Sequence, residues 1–524
     1  MKTYIVRTRI ENNETTGARP IYLPAGFGTV KGALFYYATS NANLNVLDST
    51  TNDQTFGIGF AGPPLGGGGV TSRTMGIIID SNGAGSDSRT YAYNWSDRCA
   101  YSGLPNGSVS RELRVTGFAQ NRIDCDLTVT GVQTVPLDIT ITVFSGTGLS
   151  VAVNSLNTSS TGIGTTTSAR WINNLTFRPD LILGTYTQNA SPFTGVSSIG
   201  DAQISFGAAL RSGGAGTTSA SESCVSYRNA GGAGVRPVNM SSTVSDTSFG
   251  RGIRNANEVR VTNWGGTGFS VFNFGAAAGG SYPVFFMAFY EYNPGQYDVE
   301  PLIYPSAIGT SFYSVGFIPQ LIIGATSGTN AAFNTINTTD QSDSFSVYTG
   351  YALGGKNNTG LGTITSSTGS TTISGTGTSF RGTVAKGDVI YNSSLTSLGT
   401  VAFVVSNTSL QLTANASATV SSGDWMYQQS PQYSVSIIGD DGEDAVANGN
   451  CTIISSNMMR SYDGNAPGGT ATTNLSGNLQ NFDSRPGFGV SYHSATYGAI
   501  FRKGFFTAFD DTDNRARRGT ANSQ

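Results

Sequence analysis

The sequence predicts an all-β fold: three tandem antiparallel β-sandwich domains, jelly-roll-like in layout, with a small β-barrel or sandwich module inserted in the third. Composition is the first reason. With 69 glycines, 28 phenylalanines and 23 tyrosines in 524 residues, the chain is rich in turn formers and large strand formers. It lacks the long Ala, Glu, Lys and Leu stretches that helices favour. The second reason is a short apolar run bounded by turn signals. It reads FRPDLILGTYT from Phe177 to Thr187, GFIPQLIIGATS from Gly316 to Ser327 and, more loosely, VKGALFYYATS from Val30 to Ser40. The third is the likeness of the segments that close each copy. Leu113 to Thr116 pairs with Val259 to Thr262, Gly268 to Val271 with Gly487 to Val490, and VFFMAF at 284–289 with GFFTAF at 504–509. A period as long as a domain describes linked beads rather than a solenoid.

Taken in order, an N-terminal arm is expected over 1–20, where Tyr4 to Arg9 alternate in character, as a strand or a pairing arm would. The first domain follows over 21–148, with strands at Val30 to Ser40, Phe56 to Ala61, Met75 to Asp80 and Thr90 to Trp95. It closes through Leu113 to Phe118, Ile123 to Val129 and Leu137 to Phe144. The last of these alternates cleanly, which predicts an antiparallel strand solvated on one face. The second domain, 149–296, is led by Phe177 to Thr187 and repeats this order, with Cys224 at a place comparable to that of Cys99. The third comprises 297–356 and 428–510, and a polar, arginine-bearing C-terminal tail over 511–524 reads as flexible.

The interruption at 357–427 alternates Ile and Val with Ser and Thr between Gly-Thr turns, which describes a five- or six-stranded module set into a hairpin tip. Its residues Gly375 to Phe380, Val384 with Gly387 to Ile390, Gly399 to Val401, and Thr408 to Thr413 resemble a small module of tailed-bacteriophage virion proteins, tail fibres and decorations especially. Phe177-Arg178-Pro179-Asp180-Leu181-Ile182 likewise resembles strands of marine-phage tail proteins. The first copy lacks the Pro-Asp pair, and the third has Gln320 in place of the Asp. This resemblance implies a non-enzymatic virion component, a tail fibre, appendage or tail-surface protein presenting loops for host attachment or subunit assembly. A capsid decoration or head fibre is the alternative, and a glycan-cleaving tailspike a further one. The implied partners are further copies of the chain, other virion proteins, and a host glycan or receptor; the implied location is the virion.

Charge narrows the remaining classes. Only 12% of residues are charged and the net charge is -3, which argues against nucleic acid as a partner. Nearly all basic residues are arginines, suited to assembly contacts, although each alone reads as an ordinary surface residue. Arg7 and Arg9 break the apolar character a signal peptide needs, and no apolar run is long enough to span a membrane. Cys99, Cys125, Cys224 and Cys451 are too far apart for a zinc site or a disulfide framework and read as buried thiols.

Catalytic and cofactor residues are not expected. The single histidine, His493, falls at an expected turn, and no Gly-x-Ser-x-Gly elbow accompanies it. The glycines at 66–69 are followed by neither Lys-Ser nor a helix, so they are not a phosphate loop. Trp95 and Trp264 could stack on sugars, or equally pack in a core. Asp440, Asp441, Glu443 and Asp444 form an acidic loop that could hold calcium, but the spacing lacks the EF-hand pattern and a solvated turn explains it.

Overall fold

The computed structural model describes residues 1–510 except 25, 42–53, 82–87, 104–108, 159–169, 188–193, 198–200, 213–218, 233–234, 254–257, 275–281, 292–296, 306, 318, 329–331, 337–343, 352–356, 381–383, 385–387, 429–431, 439–450, 456, 464–471, 480–485 and 496–502. The described residues form antiparallel β-sheets, with no helix beyond a single turn.

Three large sheets share one strand order. In the first, β1 (Lys2–Ile10) lies beside β11 (Leu137–Ser145), followed by β4 (Val30–Thr39), β5 (Gln54–Gly62), β6 (Thr71–Ser81) and β7 (Ser88–Trp95). The second runs β12 (Leu149–Thr158), β22 (Tyr282–Glu291), β14 (Leu181–Tyr186), β16 (Asp201–Arg211), β17 (Ser219–Gly232) and β18 (Val235–Ser245). The third runs β23 (Tyr297–Ile303), β40 (Lys503–Phe509), β25 (Leu321–Ser327), β26 (Ser344–Tyr351), β35 (Gln432–Ile438) and β36 (Cys451–Ser455). The three matched sequence runs therefore occupy equivalent strands, β4, β14 and β25. They are not the leading strands, however, since β1, β12 and β23 precede them. The N-terminal residues are accordingly an integral edge strand, β1, paired along its length with β11.

Each large sheet carries a smaller partner. These are β2 (Gly17–Ala18), β10 (Arg122–Thr130), β9 (Ser110–Ala119) and β8 (Ala100–Gly103), with β3 (Ile21–Tyr22) also on β10; then β13 (Arg170–Ile172), β21 (Phe269–Phe274), β20 (Glu258–Trp264) and β19 (Gly250–Arg251); and last β24 (Gly309–Tyr313), β39 (Phe488–Ala495), β38 (Thr472–Leu479) and β37 (Met459–Asp463). The Leu113 to Thr116 and Val259 to Thr262 segments are thus equivalent, on β9 and β20. Cys99 and Cys224 are not. Cys99 precedes β8, where the second repeat has Phe249, while Cys224 lies within β17. The close approaches agree: a Cβ on Gly59 would meet the Cys99 carbonyl, and one on Gly207 the Phe249 carbonyl.

The repeats are not beads on a string. Side chains alternate across a strand, and in β4 both sets are apolar. Ala33, Phe35 and Tyr37 pack toward the small sheet, whereas Leu34, Tyr36 and Ala38 enter a core that also holds Leu181, Leu183, Phe285, Leu321, Ile323 and Phe505. Three two-sided sheets thus close on one another. Phe144, Phe289 and Phe509, from the equivalent strands β11, β22 and β40, meet mutually with centroids 4.9, 5.8 and 5.9 Å apart. Edge and tilted ring pairs of this kind add roughly 0.5–1.5 kcal/mol each beyond burial. The half-solvated strand expected at Leu137 to Phe144 is buried throughout, because its second face meets the other repeats. Thr142 lies on that face and donates to Thr349 of the third repeat at 3.3 Å.

Loops tie the ring further. Val153 of β12 donates to Pro63 at 2.8 Å, and Leu65 packs into the second repeat's own core. Strand β15 (Thr194–Ser197) leaves the second repeat to pair with β7 of the first. Asn334 of the third receives Arg251 and Ser245 of the second, and Thr452 donates to the Thr39 carbonyl at 2.6 Å.

Among its described residues the inserted module has eight short strands rather than five or six: β27 (Asn357–Thr359), β28 (Thr363–Ser366), β29 (Thr372–Thr376), β30 (Val389–Asn392), β31 (Ser397–Ser406), β32 (Ser409–Leu412), β33 (Val420–Gly423) and β34 (Trp425–Gln428). They surround a separate core of Ile364, Ile390, Val401, Leu410 and Trp425. Gly360 is required there, since a Cβ would fall 1.9 Å from the Trp425 ring. The module joins the hairpin between β26 and β35, where Gly350 pairs with Gln432 and the two chain ends emerge side by side.

Candidate functional site: a polar cleft beneath the inserted module

A cleft of about 370 Å³ lies between the first repeat and the insert. One wall is the loop 13–20 with Tyr22 and Leu127; the other is Ser379 and Asn407. The sequence ENNE folds the first wall locally. Glu14 N donates to Glu11 O at 3.2 Å while Glu14 Oε1 accepts from Glu11 N at 3.0 Å, closing a tight turn. Thr16 Oγ1 accepts from Val129 N at 2.9 Å, and Arg19 N donates to Cys125 O at 2.6 Å, which fastens the loop onto β10. On the other wall, Thr378 Oγ1 and Phe380 N both donate to the Asn407 carbonyl, at 2.7 and 3.0 Å.

Arginines support the first wall from below. Arg19 pairs with Glu14 and donates to Arg9 O at 2.7 Å and Thr8 Oγ1 at 3.2 Å. Asp138 joins Arg7 at 3.0 Å and Arg9 at 3.3 Å. Arg111 donates to Ile10 O at 3.0 Å, and burial pulls its pKa down to about 10. Arg7, Arg19 and Arg111 are buried, so none is the ordinary surface residue expected. Arg7 is hidden within β1, which is buried along most of its length, and Arg19 and Arg111 are hidden against that strand, where the guanidinium fork satisfies its acceptors. The insert is anchored nearby through Tyr433, whose hydroxyl donates to Asp388 Oδ1 at 3.2 Å and whose ring lies 5.7 Å from the Arg7 guanidinium carbon.

The residues singled out from sequence do not gather here. Asp440, Asp441, Glu443 and Asp444 lie outside the described residues, as does the tail 511–524. Among the described residues, no group of three or more His, Cys, Asp and Glu side chains could hold a metal ion. His493 is inside β39 rather than at a turn. The register slips opposite it, between Ser476 and Gly477, so it is the extra residue of a bulge. Trp264 is a fully buried core residue, and Trp95 packs on Tyr101 with the Arg98 guanidinium 3.6 Å above its ring. Cys99, Cys125 and Cys224 are buried free thiols. Gly66 to Gly69 all take positive φ in the turn between β5 and β6.

One carboxyl is strongly perturbed. Burial inside the second repeat raises Glu222 to about 8, against the opposing bonds from Ser219 Oγ at 2.5 Å and Val261 N at 3.0 Å. It sits between sheets, linked through Ser219 to the Trp264 indole, so burial accounts for its shift. The cleft itself was not legible from sequence. ENNE signals a turn, but its opposite wall is supplied from almost 400 residues along the chain. No helix among the described residues is long and apolar enough to cross a membrane. No protein-family model, curated protein or solved structure matches the chain.

Proposed function

We propose that the chain is a non-enzymatic structural component of a tailed-phage virion, a tail fibre, appendage or tail-surface protein that presents loops to a host surface or to neighbouring subunits. The observation that carries this reading is mechanical. Three repeats fused round one dry core form a stiff pedestal, and the module resembling phage virion modules is mounted on one hairpin of it, seated against the first repeat. Rigid elements that position surface loops are the usual arrangement for recognition. Its partners in this role are further copies of itself, other virion proteins and the host surface.

The test is localisation. Particles are disrupted and separated into heads and tails, each fraction is probed with antibody, and intact particles are imaged to find the three-lobed density. Recovery with tails supports the role, recovery with heads replaces it with a capsid decoration, and absence from particles ends it.

A further inference from the structure

We propose that the cleft between the loop 13–20 and the insert is a binding site for a neutral saccharide. Its volume of about 370 Å³ falls within the range of about 300–1,000 Å³ typical of small-molecule sites. That is room for about a dozen waters at ~30 Å³ each, or for one or two sugar rings in their place.

The lining selects the chemistry. Its two charged groups, Glu14 and Arg19, are spent on each other, and both are further engaged, Glu14 by the Glu11 amide and Arg19 by Thr8 and the Arg9 carbonyl. A cation would find the carboxylate neutralised, and an anion the guanidinium. An apolar ligand would strand the hydroxyls and amides of Asn13, Thr15, Ser379 and Asn407. Hydroxyls and carboxamides each offer both donors and acceptors, as the vicinal hydroxyls of a sugar require. Half-buried Tyr22 adds an aromatic ring for the carbon-bound face of a pyranose.

Both walls are held before any ligand arrives, one by the Glu11–Glu14 turn and the other by the paired bonds onto the Asn407 carbonyl. Little ordering cost then opposes binding. The site is composite, so the insert completes it. This binding role is independent of where the chain resides.

The experiment is saturation-transfer NMR on the full chain with glucose, galactose, mannose, N-acetylglucosamine and maltose, alongside sialyllactose and glucuronate as anionic probes. The expected result is saturable transfer to at least one neutral sugar. It should fall at least tenfold in Asn407→Trp, which fills the cleft, and in Tyr22→Ala, and persist in Thr116→Ala, which lies on the exposed face of β9. Should Asn407→Trp misfold by circular dichroism, the double variant Asn13→Ala/Asn407→Ala removes the amides without adding bulk. Silence across the neutral panel, survival of the signal in the folded cleft variants, or preference for the anionic probes overturns the site.

Retention on dextran or mannan columns assigns a surface polymer as the source, and free-sugar binding without retention a small soluble saccharide; both sustain a saccharide site. A chain found on particles that binds no sugar loses this site and keeps its virion role. Sugar binding by a chain absent from particles does the reverse.

Discussion

Strands β4 and β9 belong to the same repeat and bury their residues by different rules. In β4 every residue except Lys31 is buried, whereas β9 buries Leu113 and Val115 and exposes Arg114 and Thr116 in alternation with them. The small sheets are ordinary half-solvated sheets, and the large ones are interior walls. An interior wall must satisfy its polar groups without water. Thr185 accordingly donates to the Ser205 carbonyl at 2.8 Å and Ser346 to Ser436 at 2.5 Å. The contrast shows that the large sheets are buried on both faces, between the shared core and the core of their own repeat, while the small sheets keep one face in water.

The largest effect is expected at the aromatic triangle. Phe289→Ala should cost about 3–5 kcal/mol, through lost burial and a cavity that three sheets cannot all collapse to fill. Urea unfolding followed by circular dichroism and tryptophan fluorescence should show one shifted transition. A loss below about 1 kcal/mol would show that the triangle does not join the repeats.

Asp138→Asn comes next. Arg7 and Asp138 are both nearly inaccessible, and removing one partner of a buried pair leaves an uncompensated charge, at a cost of about 3 kcal/mol. The same denaturation experiment reads it, and an unchanged midpoint would place Arg7 in water. A smaller loss, about 1–3 kcal/mol by overpacking, is expected of Gly76→Ala. Its Cβ would lie 2.1 Å from the Phe56 carbonyl and 2.3 Å from the Tyr93 hydroxyl.

The pH dependence of Glu222 is spread over several pH units. Its folded pKa is raised from 4.5 to about 8, so the folded state holds a proton that the unfolded chain releases. Its stabilising contribution is complete below 4.5 and is lost as pH rises toward about 8. The slope from one proton is at most about 1.4 kcal/mol per pH unit. Glu222→Gln keeps the acceptor for Ser219 and Val261 and should flatten this slope; an unchanged profile would assign the pH dependence elsewhere. Smallest of all, Arg114→Ala on the outer face of β9 should change stability by less than about 0.5 kcal/mol, because its pair with Asp97 is half exposed.

Much of the architecture was legible because local chemistry governs it. The runs at Val30, Phe177 and Gly316, the Leu113 and Val259 segments and the module at 357–427 all announced themselves through strand periodicity and turn residues. Illegible were the relations between distant segments. ITITVF at 139–144 alternates as a solvated strand does, because threonine suits either a wet face or a dry one where another hydroxyl waits, as Thr349 waits for Thr142. The buried arginines look like any others in sequence, and the cleft joins ENNE to Ser379 and Asn407 with no local sign.

The sequence alone was enough for the class of fold, many of the strands and their threefold repetition, since these follow from backbone propensity and the alternation of side chains along each strand. It did not mark β12 and β23, the edge strands of the second and third large sheets. Tertiary structure alone decided that the repeats close on a common core and that the insert roofs a polar cleft. Which sheet covers which face, and which loop meets which module, depends on packing between surfaces hundreds of residues apart, where no local pattern encodes the partner.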